Sequence, residues 1–320
     1  MPKTNFVCEL TAEQAAQLAA ILTEQNWEMD AIPYARWRAR KEKTSAVAYE
    51  SGKFVVQGKG TADLVQFIVE PEILHEARMG YETEIARLEN PQMFGSHVGI
   101  DESGKGDYFG PLVIAAVYVD EESATLLFDQ GIRDSKTIKS DRKIRTLAQG
   151  VKDTVHGNFA IVRIGPERYN QLYDKFANLN DMLAWGHARA LEDVLEKVPD
   201  CPWALSDQFG KRSTVSKALM NLGRRIKLEQ RPKAESDIAV AAASIIARAE
   251  FVRALEALAK PHDLRLPKGA SDPQVAVTAA DIYCRGGMEA LGKVAKLHFR
   301  TTEGVAELAD SGGDAGGVNG

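Results

Sequence analysis

Cysteine is scarce in this chain. Three occur in 320 residues, Cys8, Cys201 and Cys284. None lies in a Cys-x-x-Cys pair, which argues against a disulfide scaffold and a structural zinc site and fits free thiols in a reducing compartment. Long apolar runs are missing too. No hydrophobic stretch follows a basic start, so no signal peptide is expected. The most apolar uninterrupted segment, Ile238 to Ala247, lies between Asp237 and Arg248 and is too short to span a bilayer. These absences lead to the expectation of a soluble, cytoplasmic protein with no membrane attachment. Positive charge is not in excess either: 40 Lys and Arg against 45 Asp and Glu give a net charge of −5. Such a balance does not advertise a nucleic-acid partner, although a local basic stripe can act inside an acidic chain. What is present is enough to fold. With 44% hydrophobic residues the chain can bury a core, and its length suits one large domain or two ordinary ones.

Residues 1–70 read as a small α+β layer. Asn5 to Leu10 suits a short strand, and Thr11 to Gln25 a helix opened by the capping box Thr11-Ala-Glu-Gln14. Strands are expected at Ile32 to Lys41, Ser45 to Glu50 and Lys53 to Gln57, the last two joined by the tight-turn pair Ser51-Gly52, with a helix over Thr61 to Val69. Arg36, Arg38 and Arg40 alternate with Ala35, Trp37 and Ala39, so a strand places the three arginines on one face. Two readings stay open: a solvated strand face, or a surface that follows a phosphate backbone. Residues 71–94 read as a helical linker.

A second part is expected over residues 95–302. Val98 to Glu102 and Leu112 to Val119 form a hairpin around a glycine turn, and Phe159 to Ile164 is a third strand. Helices follow at Glu167 to Phe176 and Asn180 to Val198, the latter with Leu183, His187 and Leu191 on one stripe. Trp203 to Phe209 is a buried strand carrying Asp207, Arg224 to Leu228 another strand, and Glu235 to Ala259 a long helix with Asp237 in its first turn. This order describes a mixed sheet with helices on both faces. Residues 303–320 hold six glycines and no Lys or Arg, and are expected to be disordered.

Chemistry concentrates in Ile100-Asp-Glu-Ser-Gly-Lys-Gly-Asp-Tyr-Phe-Gly110. Two adjacent carboxylates repel unless a cation or a proton separates them. The spacing from Gly99 to Gly104-Lys105 mimics a P-loop, but Gly106 stands where Ser or Thr is needed, and Asp101 and Glu102 would oppose a phosphate in the cradle. Carboxylates as ligands of divalent metal remain. Two such ions about 4 Å apart can hold the attacking water and the leaving oxygen of a phosphodiester displacement, given acids that converge from several elements. Asp101 and Glu102 end one strand, and Asp207 lies among apolar neighbours in another, costly for an unpaired charge. Asp237 starts a helix, where it could equally be an ordinary capping acid.

Asp101-Glu-Ser-Gly-Lys-Gly-Asp-Tyr-Phe-Gly-Pro-Leu112 resembles the first motif of the ribonucleases HIII, type 2 ribonucleases H. The resemblance continues through Asn178-Leu-Asn-Asp-Met-Leu-Ala-Trp-Gly-His-Ala188, Ser206-Asp-Gln-Phe209, Ala234 to Arg248, Leu266-Pro-Lys-Gly-Ala270 and Lys296-Leu-His-Phe299. Pro33-Tyr-Ala-Arg-Trp37 and Tyr49 to Gly58 resemble that family's leading domain, which is similar to TATA-box-binding protein and helps to hold the substrate. Ribonucleases HII carry Gly-Arg-Gly after the acid pair and lack this domain, so Lys105 and the leading residues favour HIII.

The resemblance implies a ribonuclease H-like mixed sheet preceded by a small α+β domain. It also implies an endonuclease that hydrolyses the RNA strand of RNA–DNA hybrids, leaving 5′-phosphate and 3′-hydroxyl ends. Asp101, Glu102, Asp207 and Asp237 would be the catalytic acids and hold two ions, Mg2+ or Mn2+. Ser103, Gly104, Lys105 and Gly106 would approach the RNA strand near its 2′-hydroxyl, and Arg36, Arg38 and Arg40 would help to bind the hybrid. Lys296 or His298 is a candidate phosphate contact, whereas His187 and Trp185 read as core. A monomer is expected. Ribonuclease HII-like cleavage at single ribonucleotides in duplex DNA is the enzymatic alternative, and a hybrid-binding protein without catalysis the other.

Overall fold

A computed structural model describes residues 4–132, 138–176, 178–208, 210 and 212–313. The chain divides into two units, Met1–Glu89 and Asn90–Gly320, so most of the expected linker 71–94 belongs to the first.

The first unit runs β1 (Asn5–Glu9), α1 (Ala12–Glu24), β2 (Glu28–Asp30), β3 (Ala35–Lys41), β4 (Thr44–Tyr49), β5 (Lys53–Gly58), α2 (Thr61–Leu64) and α3 (Glu82–Glu89). The capping box at Thr11 and Gln14 opens α1 as expected. Two details differ. Tyr34 takes a positive φ of 63°, so the expected Ile32–Lys41 strand begins only at Ala35, and Glu28–Asp30 adds an edge strand, β2, that the sequence pattern did not suggest. After α2 the backbone widens into a π-helical stretch, Val65–Leu74, that carries Pro71, and residues 75–81 are not helical, so the expected linker 71–94 is not one helix. All strand pairs are antiparallel, in the order β1-β5-β4-β3-β2. Ala15, Leu18 and Leu22 of α1 pack on the face carrying Trp37, Ala39, Ala46, Ala48, Phe54 and Val56. The Trp37 indole donates to the Ala15 carbonyl at 2.9 Å.

The second unit contains β6 (His97–Ser103), β7 (Leu112–Val119), α4 (Glu121–Asp129), α5 (Asp141–Thr154), β8 (Phe159–Ile164), α6 (Pro166–Phe176), α7 (Leu179–Leu195), β9 (Trp203–Asp207), α8 (Arg212–Ala218), β10 (Lys227–Arg231), α9 (Ile238–Ala259), α10 (Pro273–Gly292) and α11 (Val305–Gly313). The sheet order is β10-β9-β6-β7-β8. The β6–β7 and β7–β8 pairs are antiparallel, and β6–β9 and β9–β10 parallel, which is the expected mixed sheet. Helix α9 is buried on nearly every side because it packs directly on the centre of the sheet. Gly99 makes this possible: a Cβ there would meet the Ala239 and Val240 backbones at 2.1–2.2 Å. On the other face α7 lies over β7, with Gly186 against Ile114. The expected disorder of 303–320 is corrected in part: Val305–Gly313 is helical, with Val305 fully buried, so one apolar anchor outweighs a glycine-rich composition. Residues 314–320 lie outside the described residues. Among the described residues no helix is long and apolar enough to cross a membrane.

Candidate active site

Strand periodicity separates the acid pair. Successive β6 side chains point to opposite faces, so Asp101 faces α9 and Glu102 faces α7. The Ser244 hydroxyl of α9 hydrogen-bonds to Asp101, and His187 Nε2 of α7 donates to Glu102 Oε2 at 3.0 Å. Asp207 joins Asp101 through register: Ile100 is the Cα partner of Ser206 on the adjacent parallel strand, and the two acids follow one step on. Asp207 Oδ1 accepts from Gln208 N at 3.0 Å and from Ala234 N at 3.4 Å, in the turn that leads into α9. Asp237 is the N-cap of α9, its Oδ1 accepting from Ala239 N at 2.9 Å and Val240 N at 3.2 Å. Capping and site membership therefore coincide in this residue.

The two adjacent acids differ in proton affinity. Burial, then the Glu102 charge and more weakly that of Asp207, push the Asp101 carboxyl up to about 7, against the bonds from Ser244 and the Glu102 amide. Burial raises Glu102 as well, but His187 and Lys105 outweigh it and hold that carboxyl below the usual range. Lys105 lies 3.5 Å from Glu102 Oε1, so it neutralises a site carboxylate. Among the described residues, no three acidic, histidine or cysteine side chains stand close enough to enclose a cation by themselves.

Two histidines complete the arrangement. His97 is fully buried, bonded through Nε2 to Asp237 Oδ1 at 3.0 Å and through Nδ1 to the Gly95 carbonyl at 2.8 Å. Both partners are acceptors, so the contact with Asp237 requires a proton between Nε2 and Oδ1. The ring stacks on Trp203 with centroids 4.6 Å apart. His187, expected as packed core, is buried but serves as the partner of Glu102; an apolar helical stripe hid that role because Glu102 is 85 positions away. Trp185 is partly buried against the core.

The glycine turn has two different glycines. Gly104 has φ 88° and would place a Cβ 2.2 Å from the Pro111 carbonyl, so the fold itself requires it; around a Cβ at Gly106 nothing lies within 4 Å. Ser103 ends β6 opposite Val113. The expectation that Lys296 or His298 contacts phosphate fails for Lys296. Its side chain is fully buried, with Nζ donating to the carbonyls of Asp107 and Gly110 at 2.8 and 2.7 Å. His298 is partly buried and stacks on Tyr173, centroids 4.2 Å apart. In the first unit Arg38 and Arg40 lie on the face opposite α1, whereas a register shift between Ala35 and Trp37 takes Arg36 out of the regular alternation; Arg38 forms a two-pronged ion pair with Asp30, and Arg40 reaches the same carboxylate at 3.3 Å.

Comparison with known proteins places the chain in a family. The family model described as Ribonuclease HII matches residues 98–302, and one described as a domain of unknown function, DUF3378, matches residues 5–78. Ribonuclease HIII of Protochlamydia amoebophila strain UWE25 is 39% identical, covering 94% of this chain and 96% of that one. The Chlamydia pneumoniae protein of the same name is also 39% identical, covering 94% and 97%. Among solved structures, Bst-RNase HIII in complex with Mn2+ superposes with a TM-score of 0.64 at 29% identity, over 96% of this chain and 100% of that one. Aquifex aeolicus RNase H3 gives 0.54 at 25% identity, over 92% and 100%. A sheet that ends in acids, a leading α+β unit and relatives of this coverage lead to one assignment: the chain belongs to the ribonuclease HII family, among its ribonucleases HIII.

Proposed function

We propose that this protein cuts the RNA strand of RNA–DNA hybrids internally, and that Asp101, Glu102, Asp207 and Asp237 hold two divalent ions, Mg2+ or Mn2+, for that reaction. The observation that carries the reading is the placement of Asp101: a carboxyl at the end of β6, covered by α9 and one register step past the Ile100–Ser206 pair, beside Asp207 on the adjacent parallel strand, where burial first, and then the charges of Glu102 and Asp207, push it up to about 7. Such a site favours a cation. When bound, the ions supply polarisation of the phosphoryl oxygens and stabilise developing charge.

The chain's own groups do the rest. His97 and His187 hold Asp237 and Glu102 in place, and Lys105 balances the charge of Glu102. Water attacks phosphorus in line and the 3′-oxygen leaves, giving 5′-phosphate and 3′-hydroxyl ends. Gly106, whose missing side chain no neighbour in the fold demands, leaves room for the RNA strand at its 2′-hydroxyl, the group that distinguishes RNA from DNA. Ser103, Gly104 and Lys105 belong to the same contact, and Arg36, Arg38 and Arg40 bind backbone phosphates. The protein acts as a cytoplasmic monomer.

The test is an end-labelled hybrid incubated with Mg2+, Mn2+ or chelator. Internal RNA cuts with 5′-phosphate ends, abolished by chelator, are expected. Undiminished cutting in chelator, or 3′-phosphate products, would overturn the reading. Preference for a lone ribonucleotide in duplex DNA would favour the HII-like alternative.

A further inference from the structure

Lys296 is an odd residue to bury completely. A lysine loses strong hydration in the interior, and burial pushes this amine down to about 7. Its Nζ is spent on two backbone carbonyls, Asp107 at 2.8 Å and Gly110 at 2.7 Å, and lies 5.6 Å from the centre of the Tyr169 ring. An apolar side chain would fill the same volume without that desolvation. What Lys296 adds is direction. The two carbonyls bracket the exit of the Gly104-Lys105-Gly106 turn, and the main chain binds the same stretch. Lys296 N donates to Tyr108 O, and Gly110 N to Val294 O, both at 2.9 Å. Asn170 on α6 holds this segment from behind. Its Nδ2 donates to the Gly292 and Ala295 carbonyls at 3.1 and 3.0 Å, and its Oδ1 accepts from Leu297 N at 3.0 Å.

The turn has other anchors as well: Gly104 is buried, Lys105 pairs with Glu102, the Asp107 carboxylate accepts from Gly269 N at 2.6 Å, and Tyr108 N donates to the Gly269 carbonyl at 3.0 Å. Upstream it is continuous with β6; within it, Asp107 N closes on Gly104 O at a long 3.3 Å, and Gly106 is exposed. Its downstream end is held by two groups from far along the chain, Gly269 at Asp107 and Tyr108 and Lys296 at the Asp107 and Gly110 carbonyls, and of these Lys296 alone spans both ends of the exit.

We propose that Lys296 is a positioning residue for the hybrid-cleaving reaction: by clamping the exit of the glycine turn it fixes where the turn meets the RNA strand, and so sets discrimination between hybrid and DNA duplex. This rests on the reading of the turn given under Proposed function. Lys296 touches no substrate; it acts through Asp107 and Gly110.

The test uses the full chain in Mg2+. It measures kcat and KM on an RNA–DNA hybrid, and inhibition by a DNA duplex of the same sequence, for wild type, Lys296→Met, Asn170→Ala and Leu127→Ala. Leu127 is buried in α4, which follows the end of β7 remote from Asp101, and serves as a control for lost stability. Lys296→Met is expected to lower kcat about tenfold or more, the scale of a sub-ångström to ångström misplacement. KM changes little and the hybrid-over-duplex preference narrows. Asn170→Ala shifts the same quantities by a smaller factor, and Leu127→Ala, assayed well below its melting temperature, shifts neither. If wild type itself does not prefer hybrid over DNA duplex, the reading of the turn falls and the proposal with it. If wild type does and both Lys296→Met and Asn170→Ala retain wild-type kcat and preference, the reading survives and the Lys296 proposal is overturned. Should Lys296→Met not fold, folded Asn170→Ala decides alone: an undiminished preference overturns the proposal.

Discussion

The charges of β3 and those of β6 sit in opposite settings. On β3, Arg38 and Arg40 stand on the face turned away from α1, about a third and a half exposed, and share one local carboxylate, Asp30. On β6, Asp101 and Glu102 end a strand covered by α9 on one face and α7 on the other, and each is held by a group from the helix it faces. An exposed charge is screened by water and stays near its ordinary proton affinity unless a partner touches it. A desolvated one is moved strongly, in a direction its neighbours decide. Hence Asp101 rises while Glu102, one residue on, falls. Burial turns sequence neighbours into chemically different groups.

The strongest way to break that contrast is Asp101→Asn. Cleavage of hybrid in Mg2+ should fall by roughly a thousandfold, the upper scale for losing one positioned electrostatic group, while hybrid binding persists. Full activity would show that the buried acid is not part of the reaction. The same substitution should stabilise the chelated protein. Asp101 binds its proton more tightly folded (about 7) than unfolded (near 3.8). Its favourable contribution is complete below pH 4 and is lost as pH rises through 7. At neutral pH the loss is at most about 4 kcal/mol, reduced by the solvent that still reaches the group. Melting curves in chelator should therefore separate between pH 4 and 7, with Asp101→Asn the more stable, and Mg2+ should raise the melting temperature of wild type alone. Parallel curves would deny the strained acid.

Gly99→Ala tests whether close helix–sheet contact creates the buried setting. Its Cβ would lie 2.1–2.2 Å from α9 backbone atoms, so the helix must retreat and carry Asp237 with it. A loss of about 1–3 kcal/mol in stability and about a hundredfold in kcat are expected from denaturation and steady-state kinetics. Wild-type kcat in a destabilised protein would mean that α9 yields without moving its N-cap. A smaller effect belongs to His187→Leu. Without the imidazole, Glu102 keeps its burial and loses its main counterweight, so its proton affinity rises. Activity should drop about tenfold, with the acid limb of the pH profile displaced to higher pH. An unmoved limb would assign His187 to packing alone.

Much of this was legible in local pattern. Alternation along β3 from Trp37 onward, the continuous apolar run of β7, the capping box at Thr11 and the acids at strand ends each depend on residues within one turn or one strand, where chain geometry leaves few options. Long-range partners were not. Nothing near Lys296 in the sequence says that its ammonium reaches Asp107, and His187 looks like core until β6 is laid against α7. Asp237 shows the limit in another way: an N-cap and a site acid have the same local signature, and only the fold shows one residue in both places. Tail composition misled because Val305 anchors a helix that glycine counting predicts away.

The exposed side of the comparison gives the smallest and sharpest effect. If the β3 arginines follow a phosphate backbone, Asp30 is a built-in competitor, since the Arg38 hydrogen bond already holds its carboxyl below the usual range and Arg40 contacts it too. Asp30→Asn keeps the shape of the acceptor but removes its charge, leaving both guanidiniums to phosphate. Hybrid binding should tighten about two- to threefold, with the dependence of log affinity on log salt steeper by up to about one. Arg36→Ala should weaken binding by a similar factor. Should Asp30→Asn leave both affinity and salt slope unchanged, the three arginines are ordinary solvated side chains, and the first unit holds hybrid, if at all, by another surface.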